Sequence, residues 1–303
     1  STLSLQVWSL IYDTMLATDK DGNIVPHVAK SWSSSSDGKV YTFELNDGIK
    51  CHDGTALDAN DIKYTIDKAF NSENPSLTKG SWGPITDVEI ISPVKIQFTL
   101  EKPFVALISF LADSFSSIIC DSNKNESGFG TSVAIGSGPW KFNSWAKGDR
   151  IVLEKNPSYR NFGKLAKNSG APYMDGLSIT VVPEPQARLA ALKTGEVHVA
   201  EPPFDDVPAI KDSGDLEIIV AENTGQNVFW EFAVHRPPFN DKRARLAVGH
   251  ATDPATAIDL IYGDLSIPEA CPVSRGVFGN DQEFCKKYRP DYDPEKAKAL
   301  LAE

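Results

Sequence analysis

The chain has 303 residues, 41% of them hydrophobic and 23% charged, with 41 acidic against 30 basic side chains and a formal net charge of −11. That length suits about two lobes with their own cores, and the composition is that of an ordinary soluble globular protein. The negative balance, with no basic cluster, speaks against a nucleic-acid or anionic-membrane partner, because phosphate would repel it, and points to a neutral, cationic or zwitterionic one. No apolar run approaches the roughly 20 residues that span a bilayer. The chain starts at Ser1-Thr-Leu-Ser-Leu with no basic n-region, so any signal peptide is expected to have been removed.

In chain order, Leu5 to Leu16 reads as a helix or turn, and Asp21-Gly22 marks a tight turn. Ala29-Lys-Ser-Trp32 leads into Ser33-Ser-Ser-Ser-Asp-Gly38, a polar stretch that suits a crossing between lobes. Tyr41, Phe43 and Leu45 alternate as one face of a buried strand, ended by Asn46-Asp-Gly48. Asp58 suits an N-cap, and Ile62, Ile66, Ala69 and Phe70 at helical spacing predict an amphipathic helix over 59–70. Val94, Ile96, Phe98 and Leu100 alternate as a strand, and Pro103 opens a short helix through Leu111. Gly128-Phe-Gly130 and Gly136-Ser-Gly138 bracket a loop. Strands over 150–154 and 177–182 follow, then a helix over 184–193 closed by Gly195. Strands are expected over 197–200, 216–220 and 227–234. Asn240 should cap a helix carrying Arg243 to His250, Asp253 a helix over 254–262, and a last helix runs over 294–301.

Five segments stand in a recognisable order: Val25-Pro-His-Val-Ala-Lys-Ser-Trp32, His52-Asp-Gly54, Gly138-Pro-Trp-Lys-Phe142, Pro172-Tyr-Met-Asp175 and Ala187-Arg-Leu-Ala-Ala-Leu-Lys-Thr-Gly-Glu196. Together with Pro237-Pro-Phe-Asn-Asp-Lys-Arg243, this pattern resembles family 5, the peptide/nickel class, of extracellular solute-binding proteins that serve ABC transporters. The resemblance implies an α/β fold of the periplasmic-binding-protein type (class II, peptide-binding), with mixed sheets and discontinuous lobes. Residues 1–32 with 137–232 would form lobe I, 33–136 an inserted lobe II, and 233–303 the start of lobe III. Family members continue past the final helix, so the C-terminal lobe is expected to be truncated here. Many relatives place Asn before a small or hydroxyl residue in the segment before Pro237, where this chain has Phe232-Ala-Val-His235.

The five histidines, His27, His52, His198, His235 and His250, show no metal-ligand spacing, and no metal or cofactor is expected. No GxSxG elbow occurs, no base marks a catalytic thiol, and paired acids cannot be read from spacing, so no catalytic residue is assigned. Exposure to an oxidising compartment, which the resemblance implies, would pair Cys271 with Cys285; Cys51 and Cys120 either pair or sit as two buried thiols. Arg188 is expected to pair with an inward carboxylate. Trp140 and Trp145 are read as core. By analogy with relatives, Leu5, Trp8, Trp82, Ser116, Trp230 and Glu231 are the expected ligand-binding set, with Glu231 facing a ligand ammonium.

The resulting expectation is a periplasmic or extracellular monomer that captures a peptide or similar small solute and delivers it to an ABC transporter permease. The alternatives are a hydrolase of peptides or oligosaccharides with a carboxylate pair, and the ligand-sensing domain of a regulator.

Overall fold

A computed structural model describes the chain except for residues 1, 74, 75, 164, 221–228, 276 and 278 and the side chains of residues 2–6 and 264. It divides into two compact units, residues 1–181 and 182–303.

The first unit opens with α1 (Thr2–Ile11), which stops short of the expected Leu16 because the chain turns at Asp13 into a small ribbon of β1 (Leu16–Thr18) and β2 (Ile24–Pro26). β3 (Ala29–Ser34) then pairs with β4 (Val40–Leu45); Ser33 and Ser34 end β3, and Ser35–Lys39 turn the chain with Gly38 at φ +66°. After α2 (Ala59–Ala69) come β5 (Ile85–Ser92) and β6 (Lys95–Leu100), giving a four-stranded sheet in the order β3-β4-β6-β5. A short α3 (Ala106–Phe110) precedes a second sheet, β7 (Trp140–Ala146), β8 (Arg150–Lys155) and β9 (Gly176–Thr180). All pairings of these strands are antiparallel.

Two cores follow from the two sheets. Tyr41, Phe43 and Leu45 face the same side as Ile96, Phe98 and Leu100 and are closed by Ile62 and Ile66 of α2; Phe43 and Phe98 stack at 5.1 Å. Burying each of these large side chains contributes about 1.5–3 kcal/mol. α1 lays Val7 and Ile11 on Trp140 and Leu153 of the second sheet. Met15, Leu16, Val28 and Ala29 belong to the first core, so residues 1–32 contribute to both. Trp145, expected inside, is 47% exposed on the outer end of β7, where alternation has passed from buried to open positions.

Local capping matches the sequence pattern. Asp58 caps α2, and the Asp61 carboxylate accepts from Asp58 N and from Asp121 N, at 2.7 Å each, tying the helix start to the segment after Cys120. Cys51 is bonded to Cys120 across the same corner.

His52 links that corner to the glycine segment. Its Nδ1 accepts from Gly136 N at 3.3 Å, its Nε2 lies 3.1 Å from Gly138 O, and its own N–H donates to Gly136 O. These roles require a neutral ring. Gly136 and Gly138 are obligatory: a Cβ would fall 2.2 Å from Ile11 O at the first and 2.6 Å from Ile11 C at the second.

The second unit contains α4 (Pro185–Lys193), α5 (Val207–Ser213), α6 (Lys242–Ala251), α7 (Pro254–Tyr262), α8 (Gln282–Lys286) and α9 (Pro294–Ala302). Cys271 is bonded to Cys285, and Asp293 N donates to His250 O where α9 begins beside α6. Three expectations are corrected here. Residues 197–200, 216–220 and 229–234 are not strands, since apolar runs form strands only when a neighbour takes their backbone hydrogen bonds, and residues 227–228 lie outside the described ones. The N-cap of α6 is Asp241, not Asn240. Arg188 donates to the backbone oxygens of Val182, Pro183 and Glu201 and not to a carboxylate.

Two outcomes are expected. Joining residues 69 apart, the Cys51–Cys120 bond restricts the unfolded chain by about 4 kcal/mol in the loop-entropy account. The double variant C51A/C120A should therefore lose up to that much stability in urea titration, and an unchanged midpoint would contradict it. Burial holds the His52 pKa down to about 4, against 6.5 for a free ring. Between those values the unfolded chain binds the extra proton, so the His52 contribution is full above about pH 6.5 and is lost as pH falls toward 4. The stability difference between parent and His52→Gln should shrink over that window by on the order of 2 kcal/mol. Asp61, which burial raises to about 6, acts with the opposite sign but is common to both proteins and cancels. A difference independent of pH would remove the assignment.

Candidate functional site

α1 ends at Ile11, and the next residues, Tyr12, Asp13 and Thr14, are held between two neighbours: Gly138 N donates to Ile11 O at 2.9 Å and Ile118 N to Asp13 O at 2.8 Å. They form the floor of a cavity of about 700 Å³ within the first unit, whose walls include His27, Ser114, Ser117 and Tyr159, and the loop from Asn161 to Tyr173. This volume is in the range of small-molecule sites.

The floor holds a buried acid. Asp13 Oδ2 accepts from Ser137 Oγ at 2.8 Å and Oδ1 lies 3.5 Å from His27 Nε2. Burial pushes its carboxyl above the usual range, with His27 and Ser137 pulling the other way. Burial likewise raises the phenols of Tyr12 and Tyr159, the latter with help from the Asp13 charge, and keeps both as neutral hydrogen-bonding groups. Asp13, His27 and Tyr159 also line an inner void of about 10 Å³, the room of a single water, and His27 Nδ1 has no partner among the described residues.

The wall is organised by Asn161, itself buried. Its side-chain amide donates to Ala166 O at 3.1 Å and Asn168 O at 2.8 Å, while its oxygen accepts from Leu165 N. Asn168 is spent the same way, its Oδ1 accepting from Gly170 N and its amide donating to Ala171 O. The loop is thus a self-bonded piece of backbone rather than a slack tether.

Of the residues expected to touch ligand, Trp8 is half-buried with its ring 4.4 Å from that of Tyr12, one residue removed from the cavity. Ser116 is 1% exposed and donates to Asp113 O, between Ser114 and Ser117, which do line the cavity. Trp82 is 2% exposed and packs edge-on against Phe110 at 5.0 Å, inside the first core. Trp230, 68% exposed, and Glu231 are exposed residues of the second unit. The Leu5 side chain lies outside the described ones. Tyr12, Asp13, Tyr159 and residues 161–168 were not singled out by the sequence, and His27 and Pro172-Tyr173 stood only within family motifs, without a binding role. His27 was otherwise passed over as an isolated histidine, whereas its partner Asp13 stands fourteen positions earlier in another element; the Asn, Gly and Pro content around 161–173 is the one local signal that could have marked a loop there.

Among the described residues one group has metal-ligand spacing, Cys51, Asp61 and Cys120, and its two sulfurs are bonded to each other, which removes them as thiolate ligands. No described helix is long and apolar enough to cross a membrane.

Residues 23–303 match the model of bacterial extracellular solute-binding proteins, family 5 middle. The chain belongs to that family. The glutathione-binding protein GsiB of Pectobacterium atrosepticum is 27% identical over 307 residues, covering all of this chain and 57% of the relative. The chain therefore spans a little over half the length of such relatives. Among solved structures, AgaA from A. tumefaciens R10 in complex with agropinic acid superposes with a TM-score of 0.82 at 26% identity, over 100% of this chain and 60% of that one. The periplasmic binding protein DppA from Helicobacter pylori with the peptide STSA gives 0.80 at 25% identity, over 97% and 60%. These likenesses establish the periplasmic-binding-protein fold for this family 5 chain.

Replacing Asn161 by Ala should leave Ala166 O, Asn168 O and Leu165 N without their partner, at a cost of about 1–3 kcal/mol. A thermal melt should show a drop of several degrees; a melt within one degree of the parent would show that the loop is not held this way.

Proposed function

We propose that the protein is the solute-capturing component of an ABC importer, binding a peptide or similar small solute in the cavity floored by Tyr12, Asp13 and Thr14 and delivering it to a membrane permease. The observation that carries this reading is the cavity itself: hydroxyl, amide and aromatic groups line about 700 Å³ within the first unit of a family 5 solute-binding protein. The ligands of three relatives, glutathione, agropinic acid and a tetrapeptide, are all small, polar and acid-bearing. Asp13 is the one carboxylate lining the cavity among the described residues, and it is engaged by Ser137 and His27, so the pair of free acids that a glycosidase-type or peptide hydrolysis would use is not assembled there.

The reading includes a periplasmic or extracellular location, a monomer without cofactor or metal, and the lobe division 1–32 with 137–232, 33–136, and 233–303. Closure onto solute would follow from contacts that favour the shut state. Trp230 and Glu231 are offered as ligand contacts of the second unit.

Because Trp8 stacks on Tyr12, which lines the cavity, a bound solute should change tryptophan emission. A thermal-shift and fluorescence screen of short peptides, acidic sugar conjugates and metal chelates should return a ligand that mass spectrometry recovers intact. Trp8→Phe should remove most of the emission change while calorimetry still records binding. Failure of the whole panel to bind, or chemical turnover of a bound compound, would end this reading.

A further inference from the structure

Among the described residues, the acidic and basic side chains that line the cavity are Asp13, His27 and Lys167. The first two face each other at 3.5 Å where the floor meets the wall, and Asp13 also accepts from Ser137, so both are engaged within the protein. Lys167 differs. Among the described residues it makes no hydrogen bond or ion pair, and it stands on the wall of the same cavity.

Its backbone is fixed with unusual economy. The two carbonyls that flank it, Ala166 O and Asn168 O, both accept from the single Asn161 amide. The loop's amide side chains, Asn161 and Asn168, are spent on their own backbone and have little left to read a ligand with. What the loop offers the cavity is therefore a cation on a pre-set backbone, in a chain whose formal net charge is −11. A held loop loses less freedom on binding than a slack one.

We infer that the loop residues 165–173 are the selectivity element of the cavity and that Lys167 presents its ammonium to a carboxylate of the solute, with Asn161 as the positioning residue behind it. The inference rests on the cavity being the solute site. A carboxylate is the matching group because an ammonium is a point charge with three donors and no acceptor. A cationic group would instead meet Lys167 as a like charge.

The test uses the full 303-residue chain and a panel of di- to tetrapeptides, each prepared as the free acid and as its C-terminal amide, titrated by calorimetry at low and moderate salt. The parent should prefer acids over amides, and the preference should fall as salt rises. In K167Q the acid-over-amide ratio should drop by about tenfold or more, the scale of a lost charge-assisted hydrogen bond. K167R should retain most of the ratio. N161A should lose part of it, because the backbone on either side of Lys167 is no longer held. Melting curves of each variant establish that it is folded. If K167Q binds peptides with the parental ratio, the inference falls and the solute-binding reading stands. If the parent binds peptides but prefers amides or shows no preference, the inference again falls alone. If the parent binds no member of the panel, the inference falls with the peptide form of the reading.

Discussion

The first unit depends on one close approach of backbone to backbone, the end of the first helix against Gly136-Ser-Gly138. Neither glycine has room for a Cβ, because the Ile11 carbonyl occupies that space. What the approach achieves is chemical as well as steric: Gly138 N satisfies the carbonyl of Ile11 at the end of the helix, and Ser137 between the two glycines reaches the buried Asp13. His52 braces the same segment from the other side with a neutral ring. A larger residue at 136 or 138 would displace the helix end and, with it, Tyr12, Asp13 and Thr14, which floor the cavity.

Charge is managed on the same principle, by local closure. Asp13 is far from solvent, yet its oxygens meet a hydroxyl and an imidazole, so the cost of burial is offset where it arises. Asp61 is closed in the same way by two backbone N–H groups beside the Cys51–Cys120 bond. Surface ion pairs such as Lys63–Asp67 are exposed and add little. Polar groups inside the molecule therefore act as clamps on the chain path, and they leave the cavity wall, not its floor, to carry unpaired charge.

The sequence by itself determined the elements whose signals are local. Alternation placed β4 and β6, because one buried face needs only a period of two; Asp58 and Asp253 named their helix starts, because a cap bonds residues two or three positions away. The family was legible too, since its motifs mark turns and capped joints that the fold cannot do without, and residues 23–303 match the family model. The paired cysteines were nameable as candidates, but whether Cys51 met Cys120 required two loop residues to be brought together across 69 positions.

Only the tertiary structure decided the rest. β5 and β7 lack a clean alternation, their burial being set by neighbours rather than by their own pattern. The apolar runs at 197–200 and 216–220 look like strands and are not, because a strand exists only where another chain segment completes its hydrogen bonds. The cavity joins a helix end, a ribbon, a serine turn and a loop that lie up to about 160 positions apart. Asp13 and His27, Trp82 and Trp8 are indistinguishable in type from core or surface residues until their partners are known. A site is a statement about distance in space, and sequence order constrains that distance only over the few residues that one turn of helix or one hairpin can span.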